Sequence, residues 1–174
     1  PAKIAVFDLI TSFSIHNFFF TYKALEGFKA IAKLLPPLRE QTDSKALQKA
    51  LKDGTIDMVT SDHHPLNSEL KYVELDLAHF GSIGLEHSFG CLLSMFDVAI
   101  VVDILTRGKA RFGITASPIQ EGATADVSLF TPDGKKTVTK AAIKSTSKNS
   151  LFMDQALPGK VFGVIAQNKV RLAE

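Results

Sequence analysis

Cysteine is nearly absent: Cys91 is the only one among 174 residues, and it sits in an apolar helical run. An internal disulfide is therefore excluded, and a reducing compartment, the cytoplasm by default, is expected. Long apolar runs are missing too. Val98-Ala99-Ile100-Val101-Val102 is closed by Asp103, well short of the roughly 20 residues that span a bilayer, so no transmembrane helix is expected. The N-terminus has no basic region followed by an apolar core and a small-residue cleavage site, which argues against a signal peptide. It also lacks an initiator Met. The chain opens at Pro1-Ala2-Lys3 and enters an apolar pattern at once, which reads either as a cut within a domain or as processing after a Met. Nor does charge of one sign dominate. The formal net charge of +2 comes from interspersed Lys and Arg, so neither nucleic acid nor an anionic membrane is implied as a partner. We find no internal repeat and no low-complexity tract.

What is present is ordinary globular material. With 45% hydrophobic and 22% charged residues, the chain can bury one sizeable core, as one domain or part of a larger one. Residues 2–9 read as the end of a helix. The β-branched and aromatic stretch that follows predicts a buried strand around Ser12 to Phe18, and Thr21 can cap a short helix through Gly27. Lys33-Leu34-Leu35-Pro36-Pro37-Leu38-Arg39 reads as a rigid loop, because each proline fixes its own φ and pushes its predecessor out of the helical region. From Thr42 or Asp43 as N-cap, Ala46, Leu47, Ala50 and Leu51 recur at helical spacing until Gly54 supplies a stop.

The strand Thr55-Ile56-Asp57-Met58-Val59 comes next, so the order is strand, loop, helix, strand, as in a barrel or a doubly wound sheet. After a polar loop from Pro65 through Lys71, Phe80-Gly81-Ser82-Ile83-Gly84 leads into a long helical region, Leu85 to Leu105, with a break expected near Ser94 to Asp97. Beyond Gly113 the pattern turns to short strands and turns. Ala125 to Phe130 alternates, Pro132-Asp133-Gly134 is a turn signal, and Lys136 to Thr139 begins a return strand. Ser145 to Gly159 reads mostly as loop. A closing hairpin is predicted from Lys160 to Ala166 and Lys169 to Leu172 around Gln167-Asn168, where Asn tolerates a positive φ.

Thr60-Ser61-Asp62-His63-His64-Pro65 is the segment that carries chemistry, because it places an acid and two imidazoles where an apolar strand runs out. Catalytic groups of parallel barrels sit at strand C-termini. A carboxylate there can bind a metal or carry a proton, and the histidines titrate near neutral pH or ligate metal themselves. The plainer alternative is a capped strand end followed by a turn.

Taken in order, Ser14-Ile15-His16-Asn17, Leu35-Pro36-Pro37-Leu38-Arg39, Asp53-Gly54-Thr55-Ile56-Asp57, Ser61-Asp62-His63-His64-Pro65, Phe80-Gly81-Ser82-Ile83-Gly84-Leu85-Glu86, Gly122-Ala123-Thr124-Ala125-Asp126 and Asn149-Ser150-Leu151-Phe152 span nearly the whole chain. The ordered set resembles the C-terminal portion of type I dihydroorotases, of the amidohydrolase superfamily. The resemblance implies an α/β fold: the C-terminal part of a metal-dependent hydrolase (β/α)8 barrel, plus part of a small β-rich domain. Residues 1–113 would hold the last two strands and the helices of the barrel, and 114–174 a C-terminal β-rich appendage. Most of the barrel would then lie before Pro1.

The activity implied is interconversion of N-carbamoyl-L-aspartate and L-dihydroorotate in pyrimidine synthesis, with one or two zinc ions whose other ligands lie upstream. By resemblance Asp62 would contact the metal and shuttle the proton, which is general acid-base work. Backbone amides around Gly81, Ser82 and Gly84, near a helix start, can hold a substrate carboxylate or carbonyl; a close-packed turn is the other reading. His16 resembles the first of a pair of family histidines and is a candidate for substrate binding. His63 is a candidate to orient Asp62, or else an ordinary surface histidine, and His79 and His87 have no motif support.

Three departures stand out. Leu35 replaces an asparagine that contacts substrate in relatives, Leu66 replaces a histidine that binds the substrate carboxylate, and Asn17 replaces the second paired histidine. An apolar side chain cannot donate to an anion, and one lost charge-assisted contact costs about 1.5 to 3 kcal/mol. Two readings follow: a zinc-dependent cyclic amidase of which this chain alone does not turn over, or a non-catalytic dihydroorotase-like scaffold of the kind that holds aspartate carbamoyltransferase. A complete small binding module is a third. The expected partners are a small-molecule substrate and, because a part-barrel leaves a strand edge unpaired, another copy or the rest of the barrel.

Overall fold

The computed structural model describes residues 9–115 and 118–173. The expected helix end over 2–9 lies, apart from Leu9, outside them. Strand β1 (Ser12–Ser14) runs parallel to β2 (Met58–Thr60), with Phe13 opposite Val59 and Ser14 opposite Thr60. Thr11 fixes this register from below, its amide and hydroxyl both donating to Asp57 Oδ2 at 2.8 and 2.9 Å. Parallel strands need a crossover, and a helix supplies it.

The strand predicted through Phe18 stops at Ser14, and Ile15–Phe19 forms helix α1 instead. Ser14 is its N-cap, and Ile15 and Phe18, three residues apart, both bury fully. Aromatic and β-branched content signals burial as well as strand, and here burial is what it marked. A 3-10 turn at Tyr22–Leu25 follows Thr21 as its N-cap residue. Helix α2 (Gln41–Lys52) begins earlier than expected: Glu40 is the N-cap, and Asp43 sits at the third helical position, where it accepts the Glu40 amide at 3.1 Å. Its inner face is partly polar. Ser44 Oγ and Gln48 Nε2 both donate to the Phe18 carbonyl, at 2.6 and 2.8 Å, satisfying an end of α1, while Leu51 reaches the core.

The long helical region breaks where expected, between α3 (Ser88–Leu93) and α4 (Val98–Arg107). Arg107 then ties α4 to the strand start, its guanidinium donating to the carbonyls of Leu51, Ile56 and Asp57. Strands β3 (Val127–Thr137), β4 (Ala156–Ala166) and β5 (Lys169–Leu172) make an antiparallel sheet in the order β3-β4-β5.

Two expectations fail in this sheet. Pro132-Asp133-Gly134 does not turn the chain; the pairing passes from Thr131 opposite Lys160 to Lys135 opposite Pro158, so the three residues bulge against Gly159 within one strand. The Asp133 amide donates to Thr131 Oγ1 at 3.2 Å, closing the bulge locally and leaving β3 free to continue. The return strand begins at Ala156, inside the segment read as loop. The Gln167-Asn168 hairpin is as expected, with φ of 51° and 58°.

Among the described residues the larger of two buried clusters joins the N- and C-terminal segments. Ile15, Phe18, Leu51, Ile83, Cys91, Leu92, Val101 and Ile104 cluster with Val138, Ile143, Phe152 and Leu157 from the C-terminal segment. Among the described residues no helix is long and apolar enough to cross a membrane.

Candidate active site

Asp62 stands two residues beyond the C-terminal end of β2, with a φ of 44°. Asp is one of the few residue types that enters the left-handed region at modest cost. Its side chain keeps 17% of its accessible surface, and both oxygens are held: Ser14 Oγ donates to Oδ2 at 3.1 Å, and His64 Nε2 lies 3.1 Å from Oδ1. Strand pairing explains the first contact. Ser14 is opposite Thr60, so the ends of β1 and β2 bring the hydroxyl and the carboxylate together.

Behind Ser14 lies His16, fully buried, its Nδ1 3.1 Å from Ser14 Oγ. Burial is the main influence on the ring and, against the opposing pull of Asp62, lowers its pKa from 6.5 to about 4. The ring is neutral at pH 7. A carboxylate only accepts, so the single Ser14 proton goes to Asp62 and His16 Nδ1 must carry its own proton toward Ser14 Oγ. That fixes the tautomer. Nε2 is then left as a buried lone pair without a hydrogen-bond partner among the described residues. The His16 ring packs on Phe152 at 5.3 Å between centroids.

His16 was expected at the substrate; with no exposed surface it instead backs Ser14. His63 was expected beside Asp62. Both of its ring nitrogens are engaged elsewhere: Nδ1 accepts the Leu85 amide at 3.3 Å, so Nε2 carries the proton toward Ser145 Oγ at 3.2 Å. It is the neighbouring His64 that touches Asp62. The two neighbouring rings diverge, His63 toward Leu85 and Ser145 and His64 toward Asp62.

The Gly81 to Gly84 stretch also departs from expectation. The Gly81 amide donates to the Lys33 carbonyl and the Ile83 amide to the Asn149 carbonyl, both at 3.1 Å. Ser82, fully buried, accepts the Leu151 amide on Oγ at 2.9 Å. The Gly81 and Ile83 amides are therefore already taken within the protein. A Cβ on Gly84 would lie 2.0 Å from the Ser61 carbonyl oxygen and 2.9 Å from His16 Cε1, and one on Gly81 2.6 Å from His64 Cβ. The glycines therefore let this segment close over the Asp62 loop and set the places of His16 and His64. At Gly81 and Gly84 the backbone is close-packed, and the helix that follows, α3, is short.

Asn149, the first residue of the Asn149-Ser150-Leu151-Phe152 motif, spans the loop with its side-chain amide, Nδ2 donating to the His64 carbonyl at 2.8 Å and Oδ1 accepting the Leu66 amide at 3.0 Å. Glu86 accepts the amides of Lys144 and Ser145 at 2.6 and 2.8 Å; burial alone would raise its carboxyl, but those bonds outweigh it and hold it below the ordinary range. Asn17 donates to the Pro37 carbonyl at 3.0 Å and so anchors the proline loop rather than the site. No sequence signal marks Asn149 or Glu86 except their neighbours in the motifs. Among the described residues no group of three His, Cys, Asp or Glu side chains converges as a metal would require. Asp62 and His64 are donor types that zinc takes, and they fit as part of a ligand set.

No family model matches the chain. Among curated relatives, the dihydroorotase of Elusimicrobium minutum (strain Pei191) is 36% identical over 153 residues, covering 84% of this chain and 35% of that one. That of Pelotomaculum thermopropionicum is 35% identical over 162 residues, covering 89% and 38%. Among solved structures, an L-hydantoinase (dihydropyrimidinase) from Arthrobacter aurescens superposes with a TM-score of 0.84 at 22% identity, covering 96% of this chain and 41% of that chain. The inactive dihydroorotase-like domain of the Chaetomium thermophilum CAD-like multifunctional protein gives 0.61 at 18%, covering 92% and 43%.

The fold is thus that of the C-terminal part of an amidohydrolase (β/α)8 barrel. By sequence the chain is a homologue of the dihydroorotases and corresponds to their C-terminal portion. It spans a little over a third of the length of these relatives, between 35% and 38%.

Proposed function

We propose that the chain supplies the closing part of the catalytic mouth of a zinc-dependent cyclic amide hydrolase that interconverts N-carbamoyl-L-aspartate and L-dihydroorotate in pyrimidine biosynthesis. In this reading residues 1–113 belong to the barrel and 114–174 to the β-rich domain, and the chain by itself does not turn substrate over. The observation that carries it is the Asp62 carboxylate, held at a strand C-terminus by Ser14 and, behind that, by a neutral buried His16.

The Ser14 bond occupies Oδ2, which leaves Oδ1, beside His64, to move the proton. As water adds to the ring carbonyl, Asp62 takes the proton it releases and delivers it to the ring nitrogen while the C–N bond breaks. Holding one oxygen fixes the other in direction, which is where positioning contributes to rate. Asp62 would be one of the residues that hold a zinc ion, which when bound would supply Lewis acidity at that carbonyl. Gly81 and Gly84 act on the reaction only by keeping His64 and His16 in place.

A second reading is a scaffold that binds aspartate carbamoyltransferase without catalysing. It is favoured by Leu35, which presents 65% of its surface to solvent where relatives carry a polar group, and by Leu66. One experiment separates the two. In the polypeptide carrying the whole barrel, Asp62→Asn is expected to abolish dihydroorotate hydrolysis, a loss of about 100-fold or more, with an unchanged circular dichroism spectrum. Equal turnover in the variant would remove Asp62 from the mechanism, and no turnover in either protein, with co-sedimentation of the carbamoyltransferase, would favour the scaffold.

A further inference from the structure

A cavity of about 960 Å³ opens between the segment after α1, the loop beyond His64 and the stretch before β4, and neither Asp62 nor the residues bonded to it line the space. Its walls carry Lys23, Lys29, Lys71, Lys140 and Lys148 and no Asp, Glu or Arg. That composition is not what the chain as a whole would supply, since 20 basic residues are matched by 18 acidic ones. Like charges around a concave space repel one another and focus a positive potential into it, an arrangement that an anion relieves.

Two of the ammonium groups are built in. Lys71 is only 5% exposed, and its Nζ donates to the carbonyls of Ala30 and Lys33 at 3.2 and 3.0 Å. Lys148 Nζ donates to the carbonyls of Ile143 and Ser145, both at 2.7 Å. Each keeps a third N–H. Burial, and then the charge of Lys33, pull the Lys71 pKa down to about 8. Lys23, Lys29 and Lys140 enter no ion pair among the described residues. Lysines act as point charges and suit a phosphate dianion, whereas planar carboxylates are matched by the fork of arginine, which this lining lacks. The volume lies at the upper end of small-molecule sites, so the phosphate would be one part of a larger ligand.

We propose that this cavity, which shares Leu66 and Asn149 with the loop beyond Asp62 but does not include Asp62 itself, is a binding site for a phosphorylated small molecule. Isothermal titration of the full 174-residue chain with inorganic pyrophosphate tests it, with citrate at matched ionic strength as the carboxylate probe. Pyrophosphate binds at least about tenfold more tightly than citrate, and Lys23→Gln with Lys140→Gln weakens it by about tenfold or more. The control pair Lys45→Gln with Lys169→Gln, outside the lining, leaves the affinity within about twofold. No binding of pyrophosphate at millimolar concentration, equal affinity for citrate, or an equal loss in the control pair would overturn the proposal.

Discussion

At the scale of single residues, His16 is where structure and titration meet. The free ring takes its proton near pH 6.5 and the folded one near pH 4, chiefly because burial disfavours the charged form. Between those values the unfolded chain binds more protons than the folded one, so stability is full above pH 6.5 and falls as pH drops toward 4. By pH 4.5 the loss from this one group is about 2 kcal/mol. Urea titrations at pH 7 and pH 4.5 should show it, and His16→Gln, with nothing to protonate, should lose about 2 kcal/mol less over the same interval. An equal loss in both proteins would mean that the ring stays hydrated. The same burial that makes His16 acid-sensitive keeps it a neutral donor to Ser14, so its contribution to Asp62 and its cost to acid stability have one cause.

At the scale of elements, α2 carries the crossover between the two parallel strands, and its first turn is a local bond that can be removed alone. Asp43 accepts the Glu40 amide at 3.1 Å and places a carboxylate near the positive end of the helix. Asp43→Ala should cost about 1 kcal/mol, seen as a fall of about 2 to 4 °C in the thermal midpoint. No shift would show that the helix start is held from elsewhere. Much of this level was legible in the residues. The break at Ser94 to Asp97 and the Gln167-Asn168 hairpin are local matters, decided by residues close in sequence.

What was not legible needed a partner far along the chain. Pro132-Asp133-Gly134 reads as a turn until Gly159 and β4 are seen to lie opposite it. His63 and His64 are indistinguishable as neighbours until Leu85 and Ser145 capture the first. The amides of Gly81 and Ile83 seemed open to a ligand only because Lys33 and Asn149, which take them, are remote in sequence.

At the scale of the molecule, Phe152 joins what the sequence suggests are two parts. Its ring is fully buried, with centroids 4.8 Å from Phe20, 5.5 Å from Phe19, 5.3 Å from His16 and 5.2 Å from His87. It comes from the segment between β3 and β4, yet its neighbours belong to α1 and the turn before α3. Val138, Ile143 and Leu157 enter the same cluster, so the antiparallel sheet cannot separate without opening the core beneath β1 and β2. Phe152→Ala should therefore cost about 3 to 5 kcal/mol and shift one cooperative transition as a whole, by calorimetry and by far-ultraviolet circular dichroism alike. A second transition appearing in the variant, or a loss under about 1 kcal/mol, would show that the two parts fold separately. Because the ring is also the wall against which His16 packs, the cavity left behind frees that imidazole to rotate away from Ser14. Loss of stability and loss of Asp62 positioning should then appear together in this variant, whereas Asp43→Ala should weaken the fold and leave the carboxylate where it is.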